Sequence, residues 1–567
     1  MKDLILKHAL KNALDFGGKA NPGAVLGRVL SEKPELKKDI PQLKKEIEIV
    51  IKGLEKLTAE EQKQKLKSLA PKLLKEKKEK KEKKKDRLEI PNAKTGKVVT
   101  RFAPSPSGPM HIGHSYVLTL NSELARKYKG KLILRIEDTN PENIYPNSYE
   151  MLPDEGSWIT KNNVAQVIVQ SERLGIYYDY AEKLVTMGKA YVCTCDPDQM
   201  RKLKAAAKAC KCRELPKKEQ QIRYAKMFNE YAEGQAVLKL KTDIKDPNPA
   251  LRDFSIMRIN EHQHPKTQNK QRVWPLMNFS VAIDDALLGV THSVRAKDHM
   301  DNGKKQRIIH NYLKLPTPTD VYVGRINFSD LKISASKTRL AIERKEYTGW
   351  DDIRLPFLAA LKRRGYQPEA FIKYALDVGI TQTDKTVSQE EFFKAINAFN
   401  KEVIEPQASR FFFIQVKKKI KIKNAPAQEC QVPLHPDFRK RGYRKFKTKT
   451  DFFINAKDLD RLKSNKVHRL MDCLNFIKNK NEFIFHSTDY EEFKNADNKG
   501  IIIHWLPAEE KALDIEVLMP DNTKLKGLGE HKLKDLKVGE IIQFERAFFA
   551  RLDKKQKNKL EFWYLHK

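Results

Sequence analysis

The stretch from Val98 to His114 limits what this chain can fold into more than any other part of it. Residues 98–102 are apolar like a strand, Ala103-Pro104-Ser105-Pro106-Ser107-Gly108-Pro109 is a loop composition, and a helical pattern begins at Met110-His111-Ile112-Gly113-His114. A strand that ends in such a loop and then a helix start brings free backbone N–H groups and the positive end of a helix dipole to one point, where anions bind. His111 and His114 share a helical face, and Gly113 between them carries no Cβ to hold off a flat base or a phosphate. The pattern predicts ATP lying across the helix N-terminus beneath two imidazoles. A partly exposed histidine pair, or half of a metal site, is the competing reading.

The formal net charge is +36, from 110 Lys and Arg against 74 Asp and Glu, and it calls for an anionic partner. Nucleic acid, an acidic membrane surface and acidic proteins all qualify. No stretch has the roughly eighteen apolar residues of a spanning helix, and residues 1–12 lack the apolar core of a secretory signal, so a cytoplasmic protein without membrane contact is expected. Six cysteines in 567 residues do not make a disulfide scaffold and read as thiols or metal ligands.

At this length about three to five domains are expected, within a multidomain α/β class. Residues 1–74 read as short helices, from apolar residues at Leu4, Ile5, Ala9 and Leu10 and again from Ile40 to Leu54, with a turn at Gly17 to Gly23. Residues 75–97 are a charged linker, and the Lys/Glu run 75–87 within it is a solvated linker or single exposed helix ahead of an RNA contact. Residues 98–341 alternate strands, at 98–102 and 132–136, with helices in the manner of a doubly wound parallel sheet, with an insertion at about 185–275. Residues 342–404 form a helical region whose basic face includes Lys362, Arg363, Arg364 and Lys373. From 405 to 567 the period falls to two, as at Leu513, Ile515 and Val517 against Asp514 and Glu516, which predicts antiparallel strands in one or two β-barrels. The segment Met151-Leu152-Pro153-Asp154-Glu155-Gly156-Ser157 falls where a continuous helix is expected but carries Pro and Gly.

Several further segments carry chemistry. In Leu331-Lys332-Ile333-Ser334-Ala335-Ser336-Lys337 a Ser-Lys pair can bring an ammonium to ATP phosphates as charge grows on departing pyrophosphate, or be an ordinary basic loop. Glu137, in Arg135-Ile136-Glu137-Asp138-Thr139, stands at a strand end where a carboxylate can pair with an amino group, while Asp138 or Thr139 is a possible helix cap. Cys193-Thr194-Cys195 and Cys210-Lys211-Cys212 suit a closed tetrahedral thiolate site of the kind zinc favours, the alternative being four free thiols. Cys430 and Cys473 stand isolated. Basic and aromatic residues interleave from Phe438 to Lys447, including Arg439, Arg441, Tyr443 and Arg444, which suits stacking on unpaired bases or else a half-buried barrel surface with solvated lysines.

The Arg101–His114 run, with His-Ile-Gly-His intact, resembles the "HIGH" signature of class I aminoacyl-tRNA synthetases of the glutamyl/glutaminyl branch. The segments 331–339 and Glu346-Tyr347-Thr348-Gly349-Trp350-Asp351-Asp352 are similar to the second class signature, and Trp274 to Arg295 is similar to the amino-acid pocket. The archaeal-type glutamyl form fits nearly the whole chain. The resemblance implies His111, His114 and Lys337 in catalysis, with Gly113, Arg325 and Ser336 also on ATP, accompanied by Mg²⁺. It implies Arg101, Ala103, Ser105, Glu137 and Arg295 on L-glutamate, with Glu137 on the α-ammonium and the arginines selecting a carboxylate over an amide. It further implies structural Zn²⁺ on Cys193, Cys195, Cys210 and Cys212 in an acceptor-stem insertion, and anticodon contact by Arg439, Arg441, Tyr443 and Arg444. It implies tRNA(Glu) as the partner, with tRNA(Gln) a second acceptor left open, and tRNA bound before activation; a monomer is expected. Two departures stand out: Ala335 precedes Ser336-Lys337 in place of Met or Leu, and Met277 takes the place of Tyr. Two alternatives stay open, a glutaminyl enzyme of the same fold and a tRNA-binding protein that has lost ligase activity.

Overall fold

The structure, a computed structural model, describes residues 2–15, 20–54, 57–71, 87–480 and 482–567. It divides into two compact units, Met1–Arg87 and Leu88–Lys567. The first contains the helices Lys2–Asp15, Pro22–Glu32, Ile40–Leu54 and Ala59–Leu69. Residues at helical spacing, among them Ile5, Ala9, Val25, Val29, Leu43, Ile47 and Ile51, close its core. Asn21 caps the second helix by accepting the Ala24 N–H at 3.1 Å, and Thr58 and Glu61 form a reciprocal capping box on the fourth. Of the expected turn, residues 17–19 lie outside the described residues, as do residues 75–86 of the Lys/Glu run.

The second unit is built on parallel strands. Val99–Phe102 and Val164–Val169 flank Lys131–Ile136 in one parallel sheet. His292–Ala296 and Thr319–Val323 form a parallel pair. Thr291 joins the two groups: its hydroxyl accepts the Val99 N–H at 2.9 Å and its own N–H donates to the Val99 carbonyl at 3.0 Å. Chain order therefore reverses beside Val99–Phe102, and such a switch point leaves an opening at the carboxyl ends of the strands. The helix Ser148–Ile159 runs unbroken through Pro153. Gly156 lets it lie close to the sheet, since a Cβ there would stand 3.2 Å from Leu134 Cδ2.

Helices of the 342–404 region share this core rather than standing apart. Leu358, Leu361, Phe371, Phe392 and Ile396 pack in one cluster with Phe102, Leu132 and Leu134. Three residues of the expected basic face are ion-paired at the surface and the fourth is buried. Lys362 pairs with Asp154 at 2.8 Å, Arg363 with Asp351 at 2.8 Å and Asp553 at 2.7 Å, and Lys373 with Glu402 at 2.6 Å. Arg364 is buried and donates to the carbonyls of Tyr564 and Leu565.

The insertion is a four-stranded antiparallel sheet of Ala190–Cys193, Val237–Leu240, Ser255–Ile259 and Val273–Pro275, backed by the buried Leu238, Ile256 and Trp274. Beyond Ser409 come two seven-stranded sheets. In the first, the edge strands Ser409–Phe411 and Phe413–Ile414 are separated only by Phe412, so the sheet curls back on itself. In the second, the edges Lys499–Ile503 and Leu506–Pro507 are separated only by His504 and Trp505. Both are barrel-like, and both are mixed rather than purely antiparallel, because Leu513–Leu518 runs parallel to Lys559–His566 and Lys417–Lys423 parallel to Glu482–Ser487. Among the described residues no helix is long and apolar enough to cross a membrane.

Candidate active site

A cavity of about 480 Å³ opens where the parallel strands end. Arg101 to Ser105 line it from the first strand, Glu137 from the second, Val294 to Ala296 and Gly324 to Ile326 from the later pair, and His111, Gly113 and His114 from the helix Ile112–Lys127.

His111 is the N-cap of that helix. Its Nδ1 accepts the Gly113 N–H at 3.1 Å, and His114 Nδ1 accepts the His111 N–H at 3.4 Å. The two rings stack with centroids 3.8 Å apart. A Cβ at Gly113 would fall 2.9 Å from His111 Cε1, so the glycine makes room for the ring itself. Burial pushes the pKa of His111 down to about 4 and that of His114 to about 3, the second helped by the first. Both rings are therefore neutral at pH 7, and with each Nδ1 accepting, the hydrogen-bond pattern assigns the proton to Nε2. Two imidazole N–H donors beside a helix N-terminus can donate to the oxygens of an anion.

Three arginines meet buried or half-buried carboxylates on the far side. Arg101 donates through Nη2 to Ser293 Oγ at 3.0 Å and to Asp285 Oδ2 at 3.4 Å. Arg135, fully enclosed, reaches Asp285 at 2.7 Å and Glu137 at 3.3 Å. Burial works against ionisation of Asp285, yet Arg101 and Arg135 outweigh it and bring its pKa down to about 2. Glu137 is pushed the other way, up from the usual carboxylate range, because burial outweighs Arg135 and Arg101 there. Arg295 is clamped by Gln306 at 2.7 Å and Asp320 at 2.5 Å. A Cβ at Gly303 would come within 2.2 Å of the Tyr322 hydroxyl and 2.9 Å of Arg295 Nη2, so only glycine leaves this clamp intact. Met277, first in the helix Met277–Leu287, lines the cavity with 38 % of its surface exposed.

Not every residue singled out by sequence faces the cavity. Arg325 does, paired with Asp298 at 3.4 Å. Ser336 and Lys337 are exposed on the helix Ala335–Glu343, whose N-cap Ser334 accepts the Lys337 N–H, and they lie outside the lining. Their helix start nevertheless abuts the 105–109 loop, where a Cβ on Gly108 would stand 3.0 Å from Ala335 Cβ and 3.1 Å from the Trp350 ring.

The four clustered cysteines converge, with all sulfurs within 4.8 Å of one another. Cys193 and Cys210 are 3.9 Å apart and Cys195 and Cys212 3.7 Å. Zinc held tetrahedrally at about 2.3 Å from each sulfur sets sulfurs about 3.8 Å apart, so the residues fit that ion. Cys430 and Cys473, isolated in sequence, are neighbours in space with sulfurs 2.7 Å apart.

In the basic-aromatic run, Arg439 and Tyr443 are exposed, while Arg441 donates to Pro406 O and Ser409 Oγ. Arg444 corrects the expectation drawn from sequence. It is 1 % exposed and ion-paired with Glu530, whose carboxylate also accepts the Phe412 N–H, so its guanidinium is not offered to a nucleic acid. The strand Tyr443–Thr448 alternates outward and inward, and Arg444 points inward.

Sequence reasoning passed over Arg135, Asp284, Asp285, Glu155, Gly303 and Gln306. Asp284 holds Arg173, Gln170 and Tyr177 within 3.0 Å. The adjacent acidic pair Asp284-Asp285 beside Arg295 was the available signal, but its partners lie more than a hundred residues away in the chain.

Residues 97–406 match the family described as tRNA synthetases class I (E and Q), catalytic domain. Residues 408–489 and 502–553 match the anti-codon binding domains of the same family. Over the full length of both chains, the sequence is 42 % identical to a glutamate–tRNA ligase of Methanothermobacter thermautotrophicus, 42 % to one of Pyrococcus furiosus and 41 % to one of Methanocaldococcus jannaschii. A glutamate-tRNA synthetase structure from Elizabethkingia anophelis aligns over 55 % of this chain and 71 % of its own at 20 % identity, with a TM-score of 0.39. With its catalytic and anti-codon binding segments all matched, the chain belongs to the class I tRNA synthetases of the E and Q family.

Proposed function

We infer that this chain ligates L-glutamate to the 3′ end of its tRNA through a glutamyl-adenylate. One observation carries the reading: a single cavity joins two neutral imidazoles at a helix N-terminus to Arg101, Arg295 and Glu137. In the first step an α-carboxylate oxygen of glutamate attacks the α-phosphorus of ATP and the bond to the β-phosphate breaks, releasing pyrophosphate. In the second, the terminal adenosine hydroxyl of tRNA attacks the activated carbonyl and AMP leaves.

The chain supplies position and charge, not a nucleophile. His111 and His114 donate from Nε2 to phosphate oxygens, with Gly113 and Arg325 beside them. Lys337, carried by a helix start against the 105–109 loop, swings with Ser336 onto the pyrophosphate as charge builds. Glu137 receives the α-ammonium near Ala103 and Ser105, and Arg101 and Arg295 take the side-chain carboxylate. Mg²⁺ accompanying the nucleotide would supply neutralisation of phosphate charge. Zn²⁺ on Cys193, Cys195, Cys210 and Cys212 would lock the insertion, with no part in bond making. The exposed Arg439 and Tyr443 contact the anticodon region of tRNA(Glu). The enzyme works as a cytoplasmic monomer.

The test is a charging assay with glutamate and glutamine on each purified tRNA. Charging of glutamate dependent on ATP is expected. Preferential charging of glutamine, or ATP consumption without either acid, would sink the reading, and the acceptor range for tRNA(Gln) comes from the same experiment.

A further inference from the structure

We propose that Glu155 is a positioning residue for nucleotide activation, holding the Met110 to Ile112 backbone, and with it the His111 and His114 rings, against the start of the helix Leu358–Arg364. The proposal rests on the ligase reading above. Glu155 sits within the helix Ser148–Ile159, 3 % exposed and behind the cavity rather than in its lining. Its Oε2 accepts the Met110 N–H at 2.6 Å, and the Ala359 amide faces the same carboxyl. Around that bond the two backbones are laced together. The Met110 carbonyl accepts the Leu358 N–H at 2.9 Å, Ile112 N–H donates to Pro356 O at 3.1 Å, and His111 bridges to Phe357.

One carboxyl thus ties the helix behind the second strand to the loop entering the nucleotide helix, and the backbone of that loop is in turn bonded to the segment that follows Lys337 and Trp350. Met110 precedes the N-cap, so its amide has no place in the helix ladder, and Met110 is itself fully buried. Without an acceptor this amide would be an unsatisfied buried donor one residue from a ring that must meet a phosphate. Gly156 sets the depth of Glu155 by letting its helix lie against Leu134. The charged groups facing Glu155 are Asp154 on its own helix and Lys362 opposite, which pair with each other at 2.8 Å. Burial, aided by Asp154 and opposed by the Met110 amide, pushes the carboxyl up to about 8, so the group is a neutral acid at pH 7. Glutamine then keeps its shape and the acceptor for the Met110 N–H, with an NH2 in place of the other oxygen, whereas alanine removes the acceptor.

The experiment compares the full-length wild type with Glu155→Gln and Glu155→Ala at pH 7, measuring charging rates against ATP and glutamate, tRNA binding, and thermal melting. Glu155→Gln is expected within about threefold of wild type in kcat and in KM for ATP. Glu155→Ala is expected to lose at least about tenfold in kcat/KM for ATP, the size of a small misplacement of catalytic groups, with glutamate KM and tRNA affinity within twofold. An unimpaired alanine variant overturns the proposal, as does a glutamine variant that melts like wild type but is as slow as alanine. If Glu155→Ala does not fold, Glu155→Asp, which withdraws the acceptor by one methylene, replaces it with the same ATP-specific loss expected, and unchanged kinetics overturn the idea. A wild type that charges no tRNA defeats the ligase reading itself, a result distinct from any of these.

Discussion

Arg135 and Asp285 form the enclosed centre of the site, Nη1 to Oδ1 at 2.7 Å, with 0 % and 2 % of their side chains accessible. Arg101 shares the same carboxylate from the cavity side. Asp285 is therefore shared by two buried guanidiniums, with Glu137 adding a second contact to Arg135, and it fixes the one that lines the cavity.

Replacing Asp285 by Asn should leave Arg101 and Arg135 undercompensated, costing about 3 kcal/mol or more of stability and raising glutamate KM, as judged by urea unfolding and charging kinetics. The pH dependence follows from the depressed pKa. A carboxylate at about 2 in the fold against 3.8 when free contributes stability above pH 3.8 that is lost as pH falls through about 2. Unfolding measured from pH 5 to pH 2 should thus show wild type losing about 2 kcal/mol that the Asn variant never had.

Arg295→Cys removes a cation clamped between Gln306 and Asp320. Glutamate loses a charge partner that glutamine never needed, so the Glu/Gln ratio of kcat/KM should fall by about 10²-fold. A competition charging assay reads this directly, and an unaltered ratio would remove Arg295 from specificity.

Lys337→Ala should slow adenylate formation by about 10²-fold, comparable to losing one transition-state donor, with tRNA affinity nearly intact. Because Lys337 lies exposed outside the cavity lining, its melting temperature should not change. Rapid-quench kinetics with the same activation rate as wild type would exclude it from the chemistry.

Protein purified without chelator should carry one zinc per chain, and Cys212→Ser should lose it while keeping glutamate KM, since the sulfur cluster lies in the insertion and outside the cavity. Metal analysis well below one equivalent per wild-type chain would count against the site.

The histidine pair, its glycine and the Cys-x-Cys pairs were legible because their chemistry is local: spacing of three or two residues fixes which side chains share a face or a turn. Arg444 was misread although its signal was local too. Within Tyr443–Thr448 the period of two sends Tyr443, Lys445 and Lys447 outward and Arg444, Phe446 and Thr448 inward, and reading the run as composition rather than as a strand missed this. Glu155 was hidden differently: Pro153 and Gly156 disguise its helix, and its partner Met110 is 45 residues away.

By itself, the sequence determined the strand-to-helix turn at the cavity, the α/β alternation around it, the period-two C-terminal region and the four thiols, all of which follow from patterns within a few residues. Only the tertiary structure decided which charges are spent and which are free. Asp285 became the shared counter-ion of Arg101 and Arg135, Arg364 and Arg444 were taken into the interior, and Glu155 came to accept the Met110 N–H. The physical reason is that a charged side chain carries the same symbol in sequence whether solvated or buried, and its role is set by the desolvation and partners that long-range packing imposes.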